Sequence, residues 1–240
     1  MTKTIGICAH SYEGGALCFL AACREGVSKM GAHMHPSIIL SAVPMGLSMP
    51  AWENDDLDEV AMHLSEGVEQ LSNAGADFFI CPDNTAHIVL EKIIFRLPLP
   101  GLHIADVVCN EIVSNGWNKV GLLGTNWTMN GRVYAHALKS RGLEKIIPDE
   151  RTRHFINKAI FDELCMSIFN PETIKGFISA IEALKNKGAD CVILGCTEIP
   201  LIITEDNSPL PVLDSTRLLA KHAVRIATGD QPLLKRGWIK

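Results

Sequence analysis

GADFFICPDNTAH at residues 75–87 and GADCVILGCTEIP at residues 188–200 are two versions of one pattern. Each begins Gly-Ala-Asp, continues as an apolar run and ends in a polar loop. A constant shift of 113 residues brings Asp83 of the first copy onto Cys196 of the second. A second pair, KTIGICAH at 3–10 and KVGLLGTN at 119–126, matches Gly6 with Gly121 at a shift of 115. A chain that repeats both a first strand and a later strand is built from two related halves. The pattern is interrupted near residues 113–118, where SNGWN stands between them.

Outward from these copies the chain alternates strand and helix. Short β-rich runs occupy 4–9, 37–43, 77–81, 119–124, 190–195 and 211–213. Helical periodicity fills roughly 14–30, 55–74, 84–95, 104–115, 128–141, 154–169, 171–187 and 214–228. The strands are apolar on both faces, as in a parallel sheet covered by helices on each side. Gly31, Gly75, Gly142 and Gly188 sit where helices should stop. The reading is an α/β fold of two pseudo-symmetric domains, each a parallel sheet flanked by helices. Ligands of such sheets bind beyond the carboxyl ends of the strands. An active site is therefore expected in the cleft between the domains, with Asp83 and Cys196 facing across it.

Bulk properties remove several function classes. The 240 residues are 47% apolar, carry a formal charge of −5 and have no basic stripe, so nucleic acid is not an expected partner. No apolar run approaches the ~20 residues of a membrane span. The first residues lack the basic and apolar regions of a secretory signal. Eight cysteines without any CxxC spacing, most of them inside apolar patterns, fit a reduced cytoplasmic protein. No metal is expected: His33 and His35 lack nearby carboxylates or thiols to complete a site.

Two loops carry the candidate chemistry. Cys196 follows a strand and precedes a short helix, where a thiol is expected to be acidified and available as base or nucleophile. Asp83, in CPDNTAH, either caps the next helix or takes part in chemistry, and the two roles are compatible. Cys81 is read as the end of the buried strand. The loop GTNWTMNG at 124–131 has neither GxGxxG nor GK[ST], so a nucleotide is not indicated. Thr125, Asn126 and Thr128 suit a carboxylate, although each also serves as an ordinary N-cap. Ser11 beside His10 suggests a hydrolase only superficially, because the GxSxG elbow is missing.

NTAH at 84–87, GCTEIPLI at 195–202 and GLLGT at 121–125 together resemble the aspartate/glutamate racemase superfamily over essentially the whole chain. The resemblance implies a C-terminal helix that returns to the first domain, giving domains at 1–114 with 214–240 and at 115–213. It further implies a homodimer and a reaction without cofactor. Two cysteines of that family act on opposite faces of a small amino-acid or related carboxylate substrate, one removing the α-proton and one returning it. Here Asp83 stands where the first cysteine is usual, and Cys196 is retained. The resemblance assigns Asp83 and Cys196 as catalytic and Ser11, Asn84, Thr85, Thr125, Asn126 and Thr197 to the substrate. His87 and Glu198 become supporting residues. Segment 44–52 contains no arginine, which some aspartate-specific members use for the substrate carboxylate.

The substitution leaves three expectations. Free Asp and Cys differ by about 4.6 pKa units, roughly 6 kcal/mol of basicity. A racemase or epimerase would need Asp83 desolvated, so that burial raises its carboxyl. Alternatively, Cys196 alone handles protons and Asp83 orients the substrate, as in a decarboxylation or other one-sided isomerisation. A third expectation is a non-catalytic protein that binds a metabolite.

Overall fold

A computed structural model describes residues 2–233. In chain order the elements begin β1 (Ile5–Ala9), α1 (Tyr12–Met30), β2 (Ile38–Ala42), α2 (Met45–Glu53) and α3 (Leu57–Asn73). They continue β3 (Phe78–Ile80), α4 (His87–Ile93), β4 (Gly101–Leu102), α5 (Ile104–Ser114) and β5 (Lys119–Gly124). Then come α6 (Asn126–Asn130), α7 (Arg132–Lys139), β6 (Glu144–Ile146), α8 (Glu150–Asp162) and α9 (Pro171–Asn186). The last are β7 (Cys191–Gly195), β8 (Val212–Asp214) and α10 (Ser215–Ala227). Residues 2–107 and 216–233 form one compact unit, and Val108–Ser215 form a second.

Each unit holds one four-stranded parallel sheet, ordered β2-β1-β3-β4 in the first and β6-β5-β7-β8 in the second. The two orders are the same once the second half is counted from its own first strand. The doubled fold read from the repeat is thus present as two parallel α/β sheets.

The Gly-Ala-Asp signature accounts for part of that likeness. Gly75 and Gly188 adopt φ of 92° and 88°, where a side chain is disfavoured, and let α3 and α9 turn into β3 and β7. Two residues on, Asp77 accepts the Thr4 N–H at 2.6 Å, and Asp190 accepts the N–H groups of Asn118 and Lys119 at 2.8 Å each. The aspartates fasten the entrance of each later strand to the entrance of the first. Above them the helices press onto the sheet. A Cβ on Gly6 would lie 3.1 Å from the Leu71 side chain, and one on Gly121 would lie 3.0 Å from Leu184.

Alternation along β1 divides the packing of the first unit. Ile5, Ile7 and Ala9 share one core with Cys18 and Ala22 of α1, with Ile104 and Val107 of α5, and with Leu219, Ala220, Ala223 and Val224 of α10. Gly6 and Cys8 face α3, where a Cβ on Gly67 would meet the Cys8 sulfur at 2.9 Å. α10 is also tied in by the backbone bond from Lys3 N–H to the Ala227 carbonyl, 2.9 Å.

Six elements differ from the sequence expectation. Residues 45–53 form α2 despite Pro50 and an N-cap at Pro44 without a side-chain hydrogen bond. Burial of Ser48, Ala51 and Trp52 holds that helix where its own propensity would not. The pattern at 128–141 is broken at Gly131 into α6 and α7. α8 starts at Glu150 because Asp149 caps it through the Thr152 N–H, 2.8 Å. The edge strands β4 and β6, of two and three residues, are too short to leave an alternating pattern.

Removing one clamp tests the role assigned to the Asp of Gly-Ala-Asp. Asp190→Ala is expected to lower the unfolding free energy by about 1–2 kcal/mol, and Asp190→Asn by less, measured by urea unfolding at neutral pH.

Candidate active site

In the first unit the functional side chains leave the carboxyl ends of β1 and β3. Ser11 caps α1, its hydroxyl accepting the Gly14 N–H at 3.0 Å. Asp83 ends an Asx-type turn: Oδ1 accepts N–H bonds from Thr85 at 2.8 Å and Ala86 at 3.2 Å. Its other oxygen, Oδ2, lies 3.4 Å from His10 Nδ1, an ion-pair distance short of hydrogen-bond geometry. Asn84 and Thr85 follow and are buried.

Burial by itself would raise the Asp83 carboxyl. The neighbouring His10 ring and the Ala86 N–H outweigh it, and the group is held below its ordinary value. Asp83 is desolvated, as the two-sided reading requires, but its carboxyl is not raised: the His10 ring and the backbone donor favour the carboxylate and overcome the burial. The side chain keeps 24% of its surface open, although protein surrounds it on most sides.

His87 braces this turn from below. Its Nδ1 lies 2.9 Å from the Asp83 carbonyl, which can only accept, so the ring proton is on Nδ1. Its Nε2 accepts the Ile104 N–H at 3.3 Å. The tautomer is thereby fixed and the ring is neutral. Burial, with His103 stacked edge-on at 4.9 Å between centroids, lowers the imidazole to about 3. His103 in turn points Nε2 at Glu91, 3.0 Å away. Cys81 also donates toward the Asp83 carbonyl, at 3.9 Å, and its buried thiol is pushed well up. His87 and Cys81 are therefore packing and turn-forming groups.

In the second unit the corresponding ends are those of β5 and β7. Cys196 Sγ donates to Glu198 Oε2 at 2.9 Å, and the Thr197 hydroxyl donates to the same oxygen at 2.7 Å. All three residues are buried. Burial, followed by the charge of Glu198, pushes the Cys196 thiol well above its ordinary range. The expected acidification at a helix start is corrected. Only a three-residue 3-10 turn, Ile199–Leu201, follows the loop, and burial together with the Glu198 charge prevails. The resting group is a protonated thiol, hydrogen-bonded to the Glu198 carboxylate. Thr125 caps α6 through the Thr128 N–H at 3.2 Å, and the Asn126 N–H is held by Asn157 Oδ1 at 2.8 Å.

The structure thus gathers Ser11, Asp83, Asn84, Thr85 and His87 in one unit and Thr125, Asn126, Cys196, Thr197 and Glu198 in the other. It adds His10, which the sequence reading weighed only as a hydrolase partner of Ser11. The signal available for it was a polar residue closing an otherwise apolar strand. Among the described residues no group of three or more His, Cys, Asp or Glu side chains is arranged to hold a metal. No described helix is long and apolar enough to cross a membrane.

The doubled parallel α/β fold is that of solved members of the racemases. The Asp/Glu/Hydantoin racemase family model matches residues 15–223, and the chain is a member of that family. The broad specificity amino-acid racemase RacX of Bacillus subtilis is 30% identical over 172 residues, covering 70% of this chain and 73% of that protein. A solved structure of a candidate Asp/Glu racemase from Yersinia pestis superposes with a TM-score of 0.84 at 30% identity, covering 94% of this chain and 99% of its own. An aspartate racemase homologue from Pyrococcus horikoshii, at 26% identity, gives a TM-score of 0.75 with the same coverage. The chain is an isomerase.

The His87 brace has a pH signature. Between pH ~6.5 and pH ~3 an unfolded His87 takes up a proton that the folded one refuses. Stability from this residue is therefore complete above the window and falls as the pH drops through it, by at most about 1.4 kcal/mol per pH unit. Urea unfolding of the wild type between pH 7 and pH 4 should show a steeper loss than His87→Gln. Equal slopes would mean that His87 does not resist protonation.

Proposed function

We propose that the protein is a cofactor-independent racemase or epimerase of an amino acid or related small α-substituted carboxylate. One group from each unit acts on the α-carbon: Cys196 with Glu198 from the second, and the Asp83 side from the first. The observation that carries this reading is the Cys196 thiol held 2.9 Å from a buried carboxylate. A protonated thiol with an acceptor at hand can give a proton to a planar carbanion and, through Glu198, be made ready to remove one. Ser11, Asn84, Thr85, Thr125, Asn126 and Thr197 are assigned to the substrate carboxylate and amine. The broad substrate range of the Bacillus subtilis relative, and the absence of arginine at 44–52, support a substrate that need not be dicarboxylic. Eight free thiols support a reduced, cytoplasmic setting. A homodimer follows from the family resemblance alone.

The strongly held Asp83 carboxylate favours a second reading. There Cys196 is the sole proton donor and the reaction is one-sided, such as a decarboxylation. A panel of single-enantiomer amino acids incubated in heavy water, followed by chiral separation, distinguishes the two. Racemisation with α-deuterium incorporation is expected, and Cys196→Ser and Asp83→Asn should each reduce it by about 10²–10⁴-fold. Carbon dioxide release without racemisation would instead establish the one-sided reaction, and binding without turnover would leave a metabolite-binding protein.

A further inference from the structure

Among the described residues, the buried imidazole of His10 is a polar group beside the Asp83 slot that the roles above leave unused. Ile7 of β1 pairs with Ile80 of β3. His10 lies three residues beyond the first and Asp83 three beyond the second, so equal offsets on neighbouring parallel strands bring the two side chains together. His10 Nδ1 is 3.4 Å from Asp83 Oδ2, and the imidazole is 1% exposed. Neither ring nitrogen has a hydrogen-bond partner among the described residues. A buried polar atom without a partner is unfavourable and rare, and sites of reaction are where it is retained. Asp83 is committed on its other side, with Oδ1 taken by the N–H groups of Thr85 and Ala86. A carboxylate fixed by backbone donors, facing one nitrogen of an imidazole whose other nitrogen is unengaged, is the arrangement of an oriented base.

We propose that His10, oriented by Asp83, carries the proton on the first unit's side of the reaction, at Nε2. This rests on the racemase reading above and names the group that performs its second proton transfer. In the removal step the α C–H bond breaks and its electron pair stays on the substrate as a carbanion delocalised into the carboxylate. The proton forms an N–H bond at Nε2. Nδ1–H remains directed at Asp83 Oδ2, whose negative charge stabilises the imidazolium. In the return step the Cys196 S–H bond breaks, the carbanion's pair forms the new C–H bond and a thiolate remains; the opposite direction runs from that thiolate, and the His10 N–H bond then breaks to supply the proton. No proton passes to Asp83, which is a positioning residue, and no further reactant is needed. The arrangement explains how a thiol can be exchanged for an aspartate in this slot. A free imidazole is about 2.6 pKa units more basic than a free aspartate, recovering over half of the difference between aspartate and thiol.

The first measurement is wild-type exchange of the α-hydrogen in heavy water, each enantiomer of an accepted amino acid taken separately. Absence of exchange in both would overturn the racemase reading, and the proposal with it. Where exchange occurs, His10→Gln is expected to lose racemisation by at least about 100-fold while still exchanging one enantiomer, through Cys196, within about tenfold of the wild type. A variant that racemises within about threefold of the wild type overturns the proposal and leaves the racemase reading standing. Imidazole rescue separates a proton carrier from a packing group: added imidazole should raise racemisation by a folded His10→Ala at least about tenfold. A folded His10→Ala that imidazole leaves unrescued overturns the proposal.

Discussion

Parallel pairing in fixed register is the constraint on which both half-sites depend. Neighbouring parallel strands end side by side, so residues at equal distances past a paired position become neighbours. Ile7 pairs with Ile80, which places His10 beside Asp83. Gly124 pairs with Gly195, which sets Thr125 and Cys196 at the same level one residue further on. A slip of one residue would turn every strand side chain to the opposite face and separate these pairs. Asp77 and Asp190 act against such a slip at the other end of the strands, where each ties the later strand to the first. The residue that secures the register and the residue that occupies the slot thus belong to the same repeated segment, six residues apart.

The two slots differ less than their side chains suggest. In the second unit a thiol occupies the slot and a carboxylate, Glu198, accepts its hydrogen bond. In the first unit a carboxylate occupies the slot and an imidazole stands against it. Each half-site therefore pairs one carboxylate with one group that can be carried in a protonated form. In the second unit both members come from the loop after β7, whereas in the first the imidazole follows β1 and the carboxylate follows β3. Both slots are deep, and burial raises both groups. Donors hold the Asp83 carboxyl down against it, whereas the charge of Glu198 adds to burial at the Cys196 thiol.

This explains how far the sequence could be read. The two-sheet α/β fold and the slots at Asp83 and Cys196 followed from the constant shift, because a repeated strand and loop must occupy equivalent places. Local chemistry failed where partners far along the chain, or tertiary packing, decided the outcome. α2 forms through burial of Trp52 and Ala51, not through propensity. The edge strands β4 and β6 exist only as partners of longer strands. The pairing of His10 with Asp83 spans 73 residues and is fixed by sheet register, which a motif in one loop does not encode. The Cys196 thiol was misjudged for a nearer reason. Glu198 was visible two residues away, but the direction in which it points was not.

Unlike partners on the two faces of a substrate carry a thermodynamic restriction. Enantiomers of a substrate with one stereocentre have equal free energies in water, so racemisation has an equilibrium constant of one whatever groups perform it. The values of kcat/KM for the two directions must then be equal, and a thiol opposite an imidazole cannot favour one hand at equilibrium. The asymmetry can appear only in kcat and KM separately, changing both by the same factor. It reflects which protonation state the resting enzyme prefers. Here that state is visible in the second unit: Cys196 rests as a thiol, ready to donate. Under the mechanism proposed above, the enantiomer whose proton leaves toward His10 meets the enzyme in its resting form, whereas its mirror image must wait for the thiol to lose its proton. On that proposal, unlike groups in the two slots are compatible with racemisation and make its two directions unequal in kcat and in KM, but not in their ratio.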